Sequence, residues 1–234
     1  MKNIVLVSAS PKINEKSVSK ELLVMAGSHI ISDLFSKVFI DVRKSILTKN
    51  LAKDFETLAK ADVLIFSFPL YYFCMPGILT RFLADYHNYF NSRENAKKHV
   101  KVYAMVNCGF PEPEINLEAV RVIKSFSQHI NAEFRFGILI GGGSMMIEAK
   151  EAPFMKKPIL KLKSAFSSIA ADIQHEDSTT MDSIYIGVDF PLYRRIYHYM
   201  GGRGWITLAR KNGLKKKDLY KKPYCLKTHP RITL

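Results

Sequence analysis

Long apolar runs are missing from this sequence, and their absence excludes several classes of protein. The longest apolar run in the sequence falls well short of the roughly 18 residues that a membrane-spanning helix needs. Lys2 precedes only a short apolar run, too brief for the core of a secretory signal peptide. We therefore expect a cytoplasmic protein without a transmembrane segment.

Cysteine is also scarce. The three cysteines, Cys74, Cys108 and Cys225, lie far apart, and no two form a Cys-x-x-Cys pair. Their odd number and wide spacing are typical of reduced thiols and exclude a disulfide framework. Iron–sulfur clusters and structural zinc sites are unexpected for the same reason, since they need closely spaced thiolates. The seven histidines are scattered and form no metal-ligand spacing.

Acidic residues are nearly absent from the end of the chain. Residues 191–234 carry +11 of the formal net charge of +14, whereas residues 1–190 carry only +3. The nearly balanced body gives no reason to expect nucleic-acid binding by the whole protein. The only acid of this tail is Asp218. Its basic residues are Arg194, Arg195, Arg203, Arg210, Lys211, Lys215, Lys216, Lys217, Lys221, Lys222, Lys227 and Arg231.

Apolar runs and amphipathic helical patterns alternate along the rest of the chain. This alternation predicts an α/β fold with a doubly wound, five-stranded parallel sheet in the order 2-1-3-4-5. We place this domain at residues 1–175 and a basic C-terminal extension with a short helix at residues 176–234. The predicted strands span residues 4–7, 37–42, 63–68, 100–106 and 134–140, and the predicted helices span residues 18–31, 51–61, 76–90, 115–130 and 159–173.

In a sheet of this order, ligands bind where the strand order reverses, so the loops after strands one, three and four matter most. The first loop contains Ser8, Ser10 and Lys12 and runs into a helix near Ser17. Backbone N–H groups at a helix N-terminus attract anions, and the hydroxyl and lysine side chains add donors. The loop therefore predicts a phosphate site, with an ordinary serine-capped turn as the alternative.

Aromatic residues dominate the loop after strand three. Tyr71, Tyr72 and Phe73 stand in a row between Pro69 and Pro76. Prolines stiffen the backbone, and exposed aromatic side chains there suit a flat, apolar ligand. The alternative is that the three aromatic side chains cap the sheet as local core.

The loop after strand four combines Asn107, Cys108 and Gly109. Gly109 permits close approach of the backbone to a ligand. Cys108 invites a nucleophile hypothesis, but no histidine is placed to activate it, so we interpret it as a small buried apolar residue.

Three glycines, Gly141 to Gly143, follow strand five, which is an edge strand in the predicted order. We interpret them as a flexible turn that covers the site from a partner subunit, with a phosphate cradle as the alternative.

Two of these segments resemble the motifs of one protein family. Ser8-Ala9-Ser10-Pro11-Lys12, followed by Ser17-Val18-Ser19, resembles the phosphate loop of flavodoxin-like NAD(P)H-dependent oxidoreductases, a group that includes FMN reductases, azoreductases and multimeric flavodoxins. Residues 61–66 and 69–76 are similar to the second motif of that family, in which an Ala-Asp pair opens strand three and a Pro-x-Tyr segment wraps the isoalloxazine ring. The resemblance covers about residues 1–175.

The resemblance implies a role for each matching residue. The FMN phosphate would be held by Ser8, Ser10, Lys12, Ser17, Val18 and Ser19. The ring and ribityl chain would be contacted by Pro69, Leu70, Tyr71, Tyr72 and Phe73. The pyrimidine side would be lined by Asn107, Cys108, Gly109 and Phe110.

The resemblance also implies an activity. It indicates an FMN-dependent NAD(P)H oxidoreductase that passes hydride in ping-pong order to a small acceptor such as a quinone, an azo or nitro compound, or a flavin. The cofactor carries the redox chemistry, so no side chain is expected to act as acid, base or nucleophile. A homodimer is expected, because a neighbouring chain often completes the pocket in this family.

A second interpretation comes from the basic tail. A flavodoxin-like domain can serve as a binding or electron-carrier module without turnover, and the tail would then recruit it to an anionic surface. Residues 189–200 are predicted to form a short helix, capped by Asp189 and ended by Gly201 and Gly202, that mixes aromatic residues with arginines. Such a helix suits a membrane interface, whereas nucleic acid is not the expected partner. The alternative is that its apolar residues pack on the body or on a second subunit.

Overall fold

The computed structural model describes residues 2–12, 17–31, 35–92, 99–175, 181–188 and 194–221. It contains strands β1 (Lys2–Ser8), β2 (Phe35–Asp41), β3 (Val63–Pro69), β4 (Lys101–Asn107), β5 (Glu133–Ile140) and β6 (Ile184–Ile186). The helices in these ranges are α1 (Val18–His29), α2 (Val42–Leu47), α3 (Leu51–Ala59), α4 (Gly77–Asn91), α5 (Leu117–His129), α6 (Gly143–Glu148), α7 (Lys156–Gln174) and α8 (Arg194–Lys211). Short 3-10 turns lie at Pro113–Asn116, Pro153–Met155 and Lys216–Tyr220.

The strands form one parallel sheet in the order β2-β1-β3-β4-β5-β6. The α/β class and the first five positions of the order are confirmed, but the prediction of five strands is wrong by one. β6 has only three residues, too few for a pattern of alternation to reveal it. Because β6 pairs with β5, the prediction that strand five is an edge strand is also wrong.

Helices cover both faces of the sheet, as nearly unbroken apolar strands require. Alternate strand residues point to opposite faces, so Val5 and Val7 join a core with α3, α4 and α5. Ile4 and Leu6 are equally buried on the other face, where α1 and α7 lie against each other. This arrangement leaves the carboxyl ends of the strands to be closed by loops.

The C-terminal end of α7 is anchored to the sheet by a buried ion pair. Asp172 accepts hydrogen bonds from Arg135 Nε at 2.9 Å and Arg135 Nη2 at 2.7 Å, and from the Tyr103 hydroxyl at 2.5 Å. Arg135 also contacts Glu133, and Lys101 Nζ donates to the carbonyl oxygens of Asp172 and His175. Burial by itself raises the pKa of Asp172, but the bonds from Arg135 and Tyr103 outweigh it, so the pKa lies below its usual range.

The chain divides into two compact units, Met1–Val188 and Asp189–Leu234. The first ends after β6 because that strand pairs with β5.

In the second unit, α8 runs through Gly201 and Gly202, so the predicted end of the helix at these glycines is wrong. The predicted cap, Asp189, lies outside the described residues.

Among the described residues, no helix combines the length and the hydropathy that crossing a bilayer would need.

Replacing Asp172 with asparagine should destabilise the fold strongly. The substitution removes the buried carboxylate that accepts two hydrogen bonds from Arg135, a residue only 2% exposed, and leaves Glu133 as the remaining ionic partner of the guanidinium. Breaking one side of a buried ion pair costs about 3–5 kcal/mol. The free energy of unfolding, measured with urea, should fall by that amount. The matched control is Asp85→Asn, because Asp85 pairs with Arg81 at the surface and its loss should cost at most about 1 kcal/mol. Equal losses of unfolding free energy in the two variants would show that the buried ion pair of Asp172 does not anchor α7 to the sheet.

The same anchor gives the wild-type protein a pH-dependent stability. A carboxyl group whose pKa is lowered by folding stabilises the native state above its unfolded-state pKa. This stabilisation is lost as pH falls below the ordinary aspartate range and through the lowered pKa of Asp172. We expect the wild-type protein to lose more stability than Asp172→Asn over this acidic range in parallel urea titrations. Parallel losses would show that Asp172 does not couple to folding.

Candidate functional site

The turn between β1 and α1 presents a helix N-terminus flanked by polar groups. Ser17 caps α1, and its hydroxyl oxygen accepts a hydrogen bond from the Lys20 backbone N–H at 3.3 Å. The Ser10 hydroxyl oxygen accepts from the Lys12 N–H at 3.4 Å. An accepting hydroxyl keeps its own proton to donate, so both serines retain a donor for an anion. Lys12 is exposed beside them, whereas residues 13–16 of this loop lie outside the described ranges.

Ser8 and Ser19 occupy a different position in this turn, because both are buried. The Ser19 hydroxyl oxygen accepts a hydrogen bond from Asn107 Nδ2 at 2.7 Å, and the Ser19 carbonyl oxygen accepts from the Ser67 hydroxyl at 2.8 Å. These bonds tie the first turn of α1 to the ends of β3 and β4. Ser19 therefore positions the helix N-terminus, and its neighbour Val18 is only partly buried.

The turn between β3 and α4 is closed on itself and holds its aromatic residues outward. Tyr71 and Cys74 exchange two backbone hydrogen bonds, of 2.8 and 2.9 Å. The central residues have positive φ values, 47° at Tyr72 and 61° at Phe73, which is the pattern of a type I′ turn. Glycine and asparagine normally fill these positions, because other side chains are strained there by about 1–2 kcal/mol each.

The aromatic side chains of this turn are exposed: 42% at Tyr71, 98% at Tyr72 and 64% at Phe73. The interpretation that they cap the sheet as local core is therefore wrong. Phe73 stacks on Phe110 of the next loop, with ring centroids 6.4 Å apart and planes 17° apart. Strained backbone combined with exposed aromatic surface is typical of a ligand-binding turn. Pro69 and Leu70, at the start of the turn, are partly buried.

The loop after β4 separates buried from exposed residues. Asn107 is buried, and its amide also donates to the Phe68 carbonyl oxygen at 3.2 Å. Gly109 and Phe110 are exposed beside the aromatic turn. The predicted lining of the pyrimidine side thus divides into two exposed residues and two buried ones, Asn107 and Cys108.

Cys108 has the surroundings of a structural thiol. Burial raises the pKa of the Cys108 thiol, although contacts with the Phe110 carbonyl oxygen and the Asn116 amide oppose this shift. A raised pKa leaves little thiolate at neutral pH, which does not suit a nucleophile. The interpretation of Cys108 as a buried, unreactive residue agrees with these surroundings.

The glycines after β5 are packed tightly, and the interpretation of a flexible turn is wrong. Gly142 donates to the Phe110 carbonyl oxygen at 2.6 Å, and Gly143 donates to the Cys108 carbonyl oxygen at 2.8 Å. A Cβ atom at Gly141 would lie 2.1 Å from the Pro111 carbonyl oxygen, and one at Gly143 would lie 2.9 Å from Asn107 Oδ1. These glycines allow the loops after β4 and β5 to touch. The sequence signal was the run of glycines, which we assigned to flexibility instead of close approach.

Hydrogen bonds join the three predicted loops at one edge of the sheet. Ala9 N–H donates to the Ser67 carbonyl oxygen at 3.0 Å, and Leu70 N–H donates to the Asn107 carbonyl oxygen at 2.8 Å. The result is an anion-attracting helix N-terminus on one side and an exposed aromatic surface on the other. Serine and lysine donors suit a phosphate, and the aromatic surface suits a flat ring. The residues present therefore fit a phosphorylated ring cofactor such as FMN.

Tyr72→Asn should stabilise the protein, because asparagine tolerates positive φ and the side chain removed is almost fully exposed. We expect the free energy of unfolding to rise by about 1 kcal/mol in the absence of ligand. The control is Tyr72→Phe, which keeps the strain and should leave stability unchanged. A loss of stability in Tyr72→Asn alone would show that the turn is not strained.

The sequence matches no protein-family model and no curated protein sequence at a significant level. The fold, by contrast, is similar to that of several solved structures. An NADH:FMN oxidoreductase in its apo form shares 18% identity over 82% of this chain and 97% of its own, with a TM-score of 0.55. General stress protein 14 from Treponema denticola, solved in complex with FMN, shares 17% identity over 74% of this chain and 100% of its own, with a TM-score of 0.54.

A third similar structure is the NAD(P)H:quinone oxidoreductase from Methanothermobacter marburgensis. It shares 14% identity over 76% of this chain and 98% of its own, with a TM-score of 0.53. Identities this low establish the fold, and they agree with the resemblance that the two sequence motifs carry. The chain therefore has the flavodoxin-like fold of these FMN-binding proteins and NAD(P)H oxidoreductases.

Proposed function

We propose that this protein is an FMN-dependent NAD(P)H oxidoreductase. The observation that carries the proposal is the pairing, at the switch point of the sheet, of a serine-lined helix N-terminus with a strained turn of exposed aromatic residues. An ordinary structural turn gives no reason to hold Tyr72 and Phe73 at positive φ in solvent. The similarity of the fold to an NADH:FMN oxidoreductase and to an NAD(P)H:quinone oxidoreductase supports the same assignment.

Some residues of the site contact the cofactor directly, and others hold the contacting loops in position. Ser10, Lys12 and Ser17 hold the phosphate at the N-terminus of α1, where the helix dipole adds to their attraction. Tyr71, Tyr72 and Phe73 provide the surface for the ring, together with Phe110. The buried residues Ser8, Ser19, Asn107 and Cys108 act by fixing these loops, and Val18, Pro69, Leu70 and Gly109 complete the backbone around the cofactor.

The chemistry comes from the cofactor, and the protein supplies position. When bound, FMN would supply the redox chemistry for hydride transfer from NADH or NADPH to a small acceptor such as a quinone, an azo or nitro compound, or a flavin. The exposed aromatic surface orients each planar reactant in turn, which lets the oxidised nicotinamide leave before the acceptor enters. No side chain acts as acid, base or nucleophile in this scheme. A homodimer in which a second chain covers the open side of the ring is part of the proposal.

Ser17→Asp should separate cofactor binding from folding. Aspartate is as good a helix cap as serine, so α1 should remain capped and the unliganded protein should be equally stable. The new negative charge would repel the phosphate, and FMN affinity measured by flavin fluorescence should fall roughly tenfold or more.

The matched control is Ser17→Asn, which caps the helix without adding charge and should keep most of the affinity. Riboflavin, which lacks the phosphate, should bind wild type and Ser17→Asp equally. Equal FMN affinity in Ser17→Asp and Ser17→Asn would place the phosphate elsewhere. Wild-type protein that binds no FMN would refute the proposed function. Bound FMN without oxidation of NADH or NADPH, in the presence of a quinone, would favour an electron carrier.

Cys108→Ser should retain both bound flavin and turnover. The serine hydroxyl can donate to the Phe110 carbonyl oxygen and accept from Asn116, as the thiol does. Turnover of NADH with a soluble quinone, normalised to bound flavin, should stay near the wild-type value. Near-complete loss of turnover with flavin still bound would mean that the thiol takes part in the reaction.

A further inference from the structure

The C-terminal unit presents cationic and aromatic side chains together. Its described part contains α8 and the 3-10 turn Lys216–Tyr220. Tyr199, Trp205 and Tyr220 are 63%, 66% and 76% exposed, and Leu208, Leu214 and Leu219 are also exposed. Folded proteins rarely leave this much large apolar side chain in solvent within one short unit unless the surface binds something.

An open groove of about 590 Å³ runs between α8 and the 3-10 turn. We call it the α8 groove. The Arg203 guanidinium lies 5.8 Å from the centre of the Tyr199 ring, an arrangement that keeps both side chains at the rim. Lys216 lies on the opposite wall. The groove is lined by Tyr199, Gly202, Arg203, Trp205, Ile206, Lys216, Leu219 and Tyr220.

The charge around the α8 groove is almost entirely positive. Residues 199–221 contain seven basic residues and one acid, Asp218. Asp218 pairs with Lys221 at 2.6 Å and accepts the Lys215 backbone N–H at 2.8 Å, so it is already committed within the turn. The other basic side chains of this segment, including Arg203, Arg210 and Lys216, are exposed. The partner that complements this surface is therefore anionic.

We propose that the C-terminal unit binds an anionic membrane surface through the α8 groove, with Arg203 and Lys216 at the lipid phosphates and Trp205 in the headgroup layer. Tryptophan and tyrosine favour this layer because they combine an apolar ring with a polar group. Basic residues next to an anionic leaflet add attraction that depends on salt. The proposal stands independently of the flavin assignment.

Two other partners fit the surface less well. A second copy of this chain carries the same net charge of +14, so pairing through this basic surface would be opposed by repulsion. Nucleic acid would satisfy the cations and could stack on Trp205. A nucleic-acid partner would not explain why the leucines are exposed, however, whereas contact with the acyl chains at a membrane surface would.

The single tryptophan of the chain makes the proposal directly testable. Because Trp205 is the only tryptophan, the emission of the full-length protein reports on the α8 groove alone. We expect the emission maximum to move to shorter wavelength with phosphatidylcholine vesicles that contain phosphatidylglycerol, and not with phosphatidylcholine alone. Co-sedimentation with the anionic vesicles should weaken as salt is raised.

A pair of charge-matched variants separates the groove from net charge. Arg203→Glu/Lys216→Glu should lower vesicle affinity at least about tenfold, because each cation at the surface contributes to binding. The control, Lys53→Glu/Lys124→Glu, makes the same charge change at exposed positions of α3 and α5 and should bind nearly as well as wild type. If the glutamate variant folds poorly by circular dichroism, Arg203→Gln/Lys216→Gln should show a smaller loss in the same direction.

Several results would overturn the proposal. These are an unshifted Trp205 emission with anionic vesicles, equal losses of binding in the two charge-matched variants, and equal binding to neutral vesicles. Tighter binding to a DNA or RNA oligonucleotide than to the anionic vesicles would assign the surface to nucleic acid instead. Bound flavin, measured on the same samples, should not differ between the variants. A protein that binds no FMN would therefore contradict the proposed function without affecting the test of membrane binding.

Discussion

The buried amide of Asn107 is the interaction on which the candidate site depends. Its Nδ2 donates to the Ser19 hydroxyl of α1 and to the Phe68 carbonyl oxygen of β3, while its backbone continues into the loop after β4. Three segments that are far apart in the sequence are thus held by one side chain at the switch point. Buried hydrogen bonds of this kind are costly to break, because any unpaired partner would remain away from water.

The close approach of Gly143 to Asn107 completes this arrangement. A side chain at Gly143 would collide with the amide, so the loop after β5 can lie over Asn107 only with glycine there. The Asn107 carbonyl oxygen also accepts a hydrogen bond from the Leu70 N–H, at the start of the strained turn that contains Tyr72 and Phe73. The strain lowers the stability of the protein, and in return it keeps a flat aromatic surface facing outward for a ligand. At this turn, the conformation that favours ligand binding lowers the stability of the fold. At Asn107, by contrast, the same hydrogen bonds stabilise the fold and hold the loops of the candidate site together.

The sequence was most informative where a local pattern reflects a local physical cause. The strands β1 to β5 and the helices α1, α3, α4, α5 and α7 were predicted within a few residues, because burial against a sheet produces recognisable apolar patterns. The meeting of the loops after β1, β3 and β4 also followed from the sequence, since parallel strands place their carboxyl ends at one edge, and hydrogen bonds join these loops in the structure. By contrast, β6 was missed, because three residues are too few to show a period.

Other features depended on contacts that no local pattern encodes. The burial of Ser8, Ser19 and Asn107 follows from packing between segments, so sequence alone did not separate supporting residues from exposed ones. The ion pair of Asp172 and Arg135 joins α7 to β5 and leaves no mark in the spacing of either segment. Gly201 and Gly202 were interpreted as the end of a helix, but they lie within α8. Intrinsic propensity is a weak guide when other contacts decide the outcome.

Amide hydrogen exchange with and without FMN tests the central claim most directly, because it reports where the cofactor binds. The account predicts slower exchange at the three switch-point loops: residues 8–12 and 17–20, 70–75, and 107–110. Exchange in α8 and in the anchor around Asp172 should not change. Protection confined to the C-terminal unit, or absent from these loops at saturating FMN, would contradict the account.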